Sequence, residues 1–397
     1  MASTRTAYVA DAIRAPIGKY KGALAAVRPD DLAARIIVAL AARQPNLFEH
    51  LDHVVFGATN QAGEDNRNVA RMALLLAGAP YGVPAVTVNR LCGSGLEAVD
   101  DAVRRIAVGD ADVVVAGGVE SMTRAPYSMP KATEPFSRTP PVLYDTTIGW
   151  RYPNPSMAER FELSSLGETA ENVAKKFGVA RGEQDEYALL SHQKAARAWE
   201  AKAFGDEVVP VTTPSGPFAR DESIRIDTTL DKLSALAPAF KEGGTVTAGN
   251  SSPLNDGAAA LCLASEEGLK ELGARPLARV LASATVGLDP NYMGEGPILA
   301  TKKALARAGL RVPNVELVEL NEAFAAQAIA CERGLDLDPA RVNVLGGAIA
   351  LGHPVGASGA RIAVTLVHAM RSRGAKVGLA TLCIGLGQGM AMLFEAV

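Results

Sequence analysis

Along this chain, short runs of β-branched and apolar residues alternate with segments whose apolar residues recur every three or four positions. Val86 to Val88, behind Pro84, reads as a buried strand. The next segment, GSGLEAVDDAVRRIAVGD, carries Leu96, Val99, Val103 and Ile106 at helical spacing. After Gly109 the run ADVVVAGGVES reads as a second strand. The turn NRLCGSGL therefore places Cys92 between a strand and a helix N-terminus, followed at once by Gly93, Ser94 and Gly95.

The same strand, glycine turn, helix, strand order returns in VNVLGGAIALGHPVGASGARIAVTLVHAMRSRGAKVGLATLCIG. Placing Ser94-Gly95 opposite Ser358-Gly359 sets Val113-Val115 opposite Val377-Leu379 with no gap. A second pair of segments, LDHVVFGATNQAGEDNRNVARMALLLAG and VELVELNEAFAAQAIACERG, also shares one order of strand, polar loop and helix. An internal duplication of two α/β units with mixed or parallel sheets is predicted. Residues from about 121 to 248 interrupt this grammar and are rich in Pro, Ser, Arg and Glu. They read as an insertion on the first unit, with amphipathic pieces in GETAENVAKKFG and EYALLSHQKAARAWEA. The expected division is a first half over 1–272, holding the insertion at about 121–248, and a second half over 276–397.

A chain of 397 residues is long enough for two or three domain-sized units and for a buried site. Its 48 % apolar and 21 % charged residues have the balance of an ordinary globular protein. A net charge of −3 gives no global basic field for nucleic acid or an anionic membrane, so an anionic ligand must be met locally. Arg220, Arg225, Lys232 and Lys241 in the insertion offer such charge, although most such residues are simply a solvated surface. No apolar run approaches the ~20 residues of a membrane span and the start lacks a signal-peptide core, so a cytoplasmic protein is expected.

The four cysteines, at 92, 262, 331 and 383, show neither CxxC nor Cys/His metal spacing, so no metal site and no disulfide framework are expected. Cys262 and Cys331 lie inside apolar runs and read as core thiols. Cys92 differs, because a helix N-terminus lowers a thiol pKa and its glycine-rich turn favours access. His353, between Gly352 and Pro354 in a stretch with five glycines from Gly346 to Gly359, reads as a fixed, exposed imidazole. His50, His53, His192 and His368 lie in ordinary contexts. Asn321 in NEAFAAQ would, alone, be read as the N-cap of the next helix. In CIGLGQG the glycines 385, 387 and 389 would leave one strand face as bare backbone, open to a ligand or to an oxyanion, if the segment is extended. No helix follows that could bind a pyrophosphate, and no GxSxG elbow surrounds Ser94 or Ser358, so dehydrogenase and serine-hydrolase readings fall.

Taken together, NRLCGSGL, NEAFAAQ, GGAIALGHPVGASG and CIGLGQG resemble the signatures of the thiolases, over essentially the whole chain. The resemblance implies two duplicated α/β halves in a five-layered α/β/α/β/α arrangement with an inserted loop domain. It implies an acyltransferase that cleaves a 3-oxoacyl-CoA with coenzyme A into acetyl-CoA and a shortened acyl-CoA, or runs the reverse Claisen condensation. By motif, Cys92 matches the acylated nucleophile and His353 its base. Cys383 matches the thiol that moves a proton at the α-carbon. Asn321 matches the residue holding a water in one oxyanion hole, and the N–H groups of Cys92 and Gly385 match the other.

Two thiols suit this chemistry, since attack on the ketone and protonation of the departing enolate occur on opposite sides of one bond. Coenzyme A is implied as substrate, with no permanently bound cofactor. Ser252 in NSSPLNDG matches a position along its pantetheine arm, Arg225 one near its nucleotide end, and Met293 in NYMGEGP a familiar pocket residue. A homodimer or a homotetramer, a dimer of dimers, is implied.

Where thiolases that form acetoacetyl-CoA typically carry His-Met, this chain has Ser165-Leu166, and Leu386 stands where glycine is usual. The stretches QAGEDNRNVARMA and DTTIGWRYPNPSMA look like thiolases of aromatic-acid breakdown that cleave 3-oxoadipyl-CoA. Fatty-acid degradation and an acetoacetyl-CoA-forming role are the alternatives. A dicarboxylic substrate would need a cation for its far end, for which Arg67, Arg124 and Arg151 are candidates. A decarboxylating ketosynthase of the same superfold would be expected to carry a second histidine in place of Cys383, and a non-enzymatic lipid carrier would not need both thiols and His353.

Overall fold

The computed structural model describes residues 5–397. The first half contributes strands β1 (Tyr8–Arg14), β2 (His53–Gly57), β3 (Ala85–Val88), β4 (Val113–Ser121) and β5 (Asn255–Ala264). The second contributes β6 (Ala278–Gly287), β7 (Leu317–Leu320), β8 (Val377–Ile384) and β9 (Gln388–Ala396). Their order is β7-β8-β9-β6-β1-β5-β4-β2-β3, with Gly18–Lys19 adding a short rung on β5. Among the described residues the halves meet edge to edge through two residue pairs, Tyr8 with Arg279 and Val9 with Ala278.

The duplication reaches the register itself. In the first half β2 runs parallel to β4 with His53 opposite Val114, and in the second β7 runs parallel to β8 with Leu317 opposite Gly378. These four residues are in register under the same alignment that pairs Ser94 with Ser358. Each edge strand also bulges at the same step beyond the Tyr8–Arg279 pair, between Val9 and Asp11 in β1 and between Val280 and Ala282 in β6.

Helices α1 (Pro29–Arg43) and α2 (Val69–Leu76) cover the outer face of the first half. The central layer is α3 (Ser94–Val108) with α8 (Val355–Arg373). The insertion supplies α4 (Leu166–Phe177) and α5 (Arg181–Glu200), and the outer face of the second half carries α6 (Gly296–Ala308) and α7 (Ala325–Leu335). Helix α8 packs on β4 and β5 from one half and on β7 and β8 from the other, so it is buried without a break from Gly356 to Met370. A helix enclosed this way has no solvent face, and the four polar side chains of its buried stretch, Ser358, Arg361, Thr365 and His368, each bond a buried partner. Strands β4 and β5 are buried along their full length, as strands covered on both faces must be. The layers are therefore α/β/α/β/α, and three main apolar clusters fill the spaces between them.

The two central helices cross where glycine permits contact of backbone with backbone. A Cβ on Gly95 would lie 2.6 Å from the Ala360 nitrogen, and one on Gly359 would lie 2.3 Å from the Leu96 nitrogen. Ala360 and Leu96 are equivalent under the duplication, so this crossing is the same contact made twice. Among the described residues no helix is long and apolar enough to cross a membrane.

Candidate active site

Cys92 sits on a strained turn at the start of α3. Leu91 adopts φ 47°, and the Ser94 hydroxyl donates to the Leu91 carbonyl at 2.7 Å while accepting from the Arg90 N–H at 2.9 Å. The Arg90 guanidinium pairs with Glu97 on α3 and reaches Gln388 on β9 at 3.0 Å, which ties the turn to the second half. The thiol is only 8 % exposed, and burial pushes it up to about 11, outweighing the Gly385 and Cys92 backbone N–H groups that favour its thiolate. The lowered pKa expected from the helix N-terminus is thus overturned: this is an enclosed thiol held in its protonated form.

The base candidate is equally enclosed. His353 is 7 % exposed, not on the surface, and burial followed by the Arg361 charge lowers it to about 4, so its imidazole is neutral. Its backbone N–H donates to Asn255 Oδ1 at 2.9 Å. The Ser358 hydroxyl gives its single proton to the Pro354 carbonyl at 2.9 Å, so toward His353 Nδ1, at 2.5 Å, it can only accept. The proton is therefore on Nδ1, and Nε2 keeps a free lone pair. Asn321 Nδ2 approaches that lone pair at 3.5 Å. The helix after NEAF is capped by Phe324, so Asn321 is no N-cap; its Oδ1 is buried with no partner among the described residues, as a water-holding group would be.

Cys383, at the end of β8, is 1 % exposed, and burial, then the nearby Cys92 and Cys331 sulfurs, raise it well above an ordinary thiol. It shares an apolar cluster with Met293, Ala170, Val246, Phe324 and Leu166. The segment after it is not an extended strand. Gly385, Leu386 and Gly387 form the turn between β8 and β9, since Ile384 already pairs with Gln388. The turn directs the Gly385 N–H at the Cys92 sulfur. Leu386 sits in it at φ 64°, a conformation natural to glycine, with an exposed side chain.

Ser252 donates its N–H to the Ala323 carbonyl at 3.0 Å, two residues from Asn321. Arg225 is exposed and lines a separate surface pocket of about 200 Å³ with Leu189, His192, Arg197 and Thr228. Its N–H donates to His192 Nδ1 at 3.1 Å, and burial with the Arg225 charge lowers that imidazole to about 4. A path of contacts still leads inward, because Asn255 Nδ2 donates to Ser223 Oγ at 2.9 Å while its Oδ1 holds His353. Lys232 is paired with Asp227 and adds no free charge. Cys262 and Cys331 are fully buried thiols raised to about 12 by burial, as core thiols should be.

Four residues of this surround carried no signal of their own. Ser358, Asn255, His192 and Glu120 lie inside segments read only as strand, helix or motif, and their partners are dozens to hundreds of residues distant or face them across a turn.

The thiolase N-terminal domain family matches residues 7–267 and the thiolase C-terminal domain family residues 274–396. The chain is 51 % identical over 401 aligned positions, 99 % of this chain and 100 % of the relative, to the beta-ketoadipyl-CoA thiolase of Escherichia coli. The crystal structure of the Bacillus anthracis acetyl-CoA acetyltransferase superposes with a TM-score of 0.94 at 40 % identity, covering 100 % of both chains. That of human mitochondrial 3-ketoacyl-CoA thiolase in complex with CoA superposes with a TM-score of 0.93 at 40 % identity, covering 99 % of this chain and 98 % of that one.

Proposed function

Because this chain belongs to the thiolase family, a CoA-dependent acyltransferase, we propose that its particular reaction is thiolysis of 3-oxoadipyl-CoA to acetyl-CoA and succinyl-CoA. The observation that carries the substrate is the 51 % identity over the full chain to a beta-ketoadipyl-CoA thiolase, against 46 % to the acetyl-CoA acetyltransferase of Chromobacterium violaceum.

The site supports a division of roles. His353 Nε2 takes the Cys92 proton as the sulfur attacks the C3 ketone, and no thiolate forms beforehand because a base near 4 does not ionise a thiol near 11. The C2–C3 bond then breaks and its electron pair passes to the acetyl-CoA enolate. The Cys383 thiol protonates that carbon and recovers a proton from the His353 imidazolium. The shortened acyl group stays on Cys92 until CoA, giving up its thiol proton to His353, attacks and carries it off, and the departing Cys92 sulfur takes that proton back. Asn321, through its unpartnered Oδ1, holds a water against one developing oxyanion, and the N–H groups of Cys92 and Gly385 face the other. Arg225 and Ser252 bind coenzyme A, and Met293 with Leu166 walls the acyl pocket beside Cys383.

Ser165 serves α4 as its cap, in a reciprocal pair with Glu168, and leaves Leu166 as the wall residue. Of the candidate cations, Arg124 is already paired with Glu64 and Arg67 is exposed, whereas Arg151 is half-buried and, among the described residues, bonds the Thr146 carbonyl alone, at 2.8 Å. Arg151 is the better candidate for the far carboxylate. A cytoplasmic homodimer or homotetramer is the working assembly.

The test is kcat/KM for acetoacetyl-, 3-oxohexanoyl-, 3-oxodecanoyl- and 3-oxoadipyl-CoA. The last is expected to lead. A preference for acetoacetyl-CoA above about tenfold, ~1.4 kcal/mol, would overturn the substrate reading.

A further inference from the structure

Glu120, the last residue but one of β4, has its carboxylate buried and lies directly opposite Gly257 of β5. Under the duplication its counterpart is Ile384, the residue after Cys383. One of its oxygens, Oε2, gathers three donors: the Thr59 N–H at 3.1 Å, the Thr59 hydroxyl at 2.6 Å and the Gly356 N–H at 2.8 Å. Thr59 follows β2 in the first half, and Gly356 lies three residues after His353 in the second. The approach is close enough that a Cβ on Gly356 would lie 2.8 Å from both the Ala58 Cα and Glu120 Oε2. Thr59 in turn accepts from Asn89 Nδ2 at 3.1 Å, on the turn that carries Cys92. Burial pushes Glu120 up to about 7, with Asp65 adding to it, and its charge is among those felt by the Cys92 thiol. The carboxylate thus joins three segments: the Cys92 turn through Asn89 and Thr59, the Thr59 loop itself, and the His353 loop through Gly356.

We propose that Glu120 is a positioning residue for acyl transfer, clamping the His353 loop of the second half onto the Thr59 loop that backs the Cys92 turn of the first. The proposal rests on Cys92 and His353 acting as nucleophile and base. The clamp sets the gap between imidazole and thiol, since Gly356, in the first turn of α8, lies only three residues after His353 and the partner of Cys92 cannot be fixed from within its own half. A buried carboxylate gathering three donors on one oxygen is stronger than a neutral acceptor in the same place. Displacing a base by about 1 Å costs on the order of 100-fold in rate, so a loosened clamp is read in chemistry before it is read in binding.

The experiment is single-turnover acetylation of Cys92 by acetyl-CoA, followed by intact mass, as a function of acetyl-CoA concentration. Glu120→Ala is expected to lower the limiting rate about 100-fold, Glu120→Gln about tenfold, and Thr59→Val, which removes one of three donors, about threefold. The half-saturating concentration should stay within about twofold of the unaltered enzyme, because no coenzyme contact is removed. Thr59→Val keeps both backbone donors and decides the matter if the Glu120 variants do not fold. Unchanged limiting rates, or a higher half-saturating concentration at an unchanged limiting rate, would overturn the clamp. Failure of the unaltered enzyme to carry acetyl on Cys92 would instead remove the nucleophile assignment, a distinct outcome.

Discussion

With Ser94 laid on Ser358, Cys92 of the first half falls opposite Gly356 of the second, and His353 falls opposite Asn89. Asn321 falls opposite Gly57, and Cys383 opposite Val119. The two halves therefore share their strand pairing, their bulges and their central helix crossing, yet none of the four proposed catalytic residues occurs twice. Where one half carries the reactive side chain, the other carries glycine, an apolar residue or, opposite the imidazole, an amide. Gly356 shows why this must be so: a side chain there would collide with Ala58 and Glu120, which is where the second half closes against the first. A site assembled across a join has room for one set of groups. Duplication supplied the frame, and departure from it at single positions supplied the chemistry.

The largest effect tests the division between the two sulfurs. Cys92→Ser is expected to abolish acetylation and all acyl transfer, by three or more orders of magnitude. Cys383→Ser should still take acetyl from acetyl-CoA, yet fail to make or break carbon-carbon bonds. Acetylation persisting without Cys92, or vanishing without Cys383, would merge the roles that the two halves are held to separate.

A second measurement tests the frame. Gly95→Ala and Gly359→Ala each drive a Cβ into the facing helix backbone and should destabilise by similar amounts, about 1–3 kcal/mol each, in urea unfolding. A large cost at one and none at the other would show that the crossing is not one contact repeated.

A third sharpens the contrast between an enclosed and an ordinary thiol. Since burial raises Cys92 from 9.0 to about 11, the fold favours its protonated form, and the stability this contributes is present below pH 9 and lost as pH rises through 11. Alkylation of resting enzyme by iodoacetamide at pH 8 should accordingly be about 100-fold slower than for an ordinary thiol and rise about tenfold per pH unit up to 11. An inflection near pH 7 would mean that His353 already holds the proton at rest.

The smallest effect belongs to the periphery. Arg225→Ala should raise KM for CoA by roughly fivefold, about 1 kcal/mol for an exposed charge, with kcat nearly unchanged. A fall in kcat at constant KM would place Arg225 in the chemical step and not at the rim.

Much of this frame was legible in the sequence. Leu96, Val99 and Ile106 mark the buried face of α3, and the ungapped match of Ser94-Gly95 to Ser358-Gly359 anticipates the register of both halves. What misled was exposure. Cys92 and His353 lie in glycine-rich turns, which locally suggest the surface, but both turns point inward at the join, and burial there depends on residues far along the chain. The glycines of CIGLGQG alternate as on a strand, yet the pairing of Ile384 with Gln388 makes the first two part of a turn. The Ser165–Glu168 capping box has a readable spacing and explains Ser165 better than a pocket role does. Glu120 had no local mark at all, because all three of its donors come from other segments.

The two-pair seam between β1 and β6 sets a schedule for synthesis. Cys92 leaves the ribosome with the first half, whereas Asn321, His353 and Cys383 all follow in the last quarter of the chain. At about 5–20 residues per second the nascent thiol waits roughly 15–50 s for its proposed base and for the helix that encloses it. Through that interval the first half holds a sulfur that cannot perform acyl transfer and is not yet shielded by the second half. Oxidants and electrophiles in the cell therefore have their best access to the proposed nucleophile before the enzyme exists.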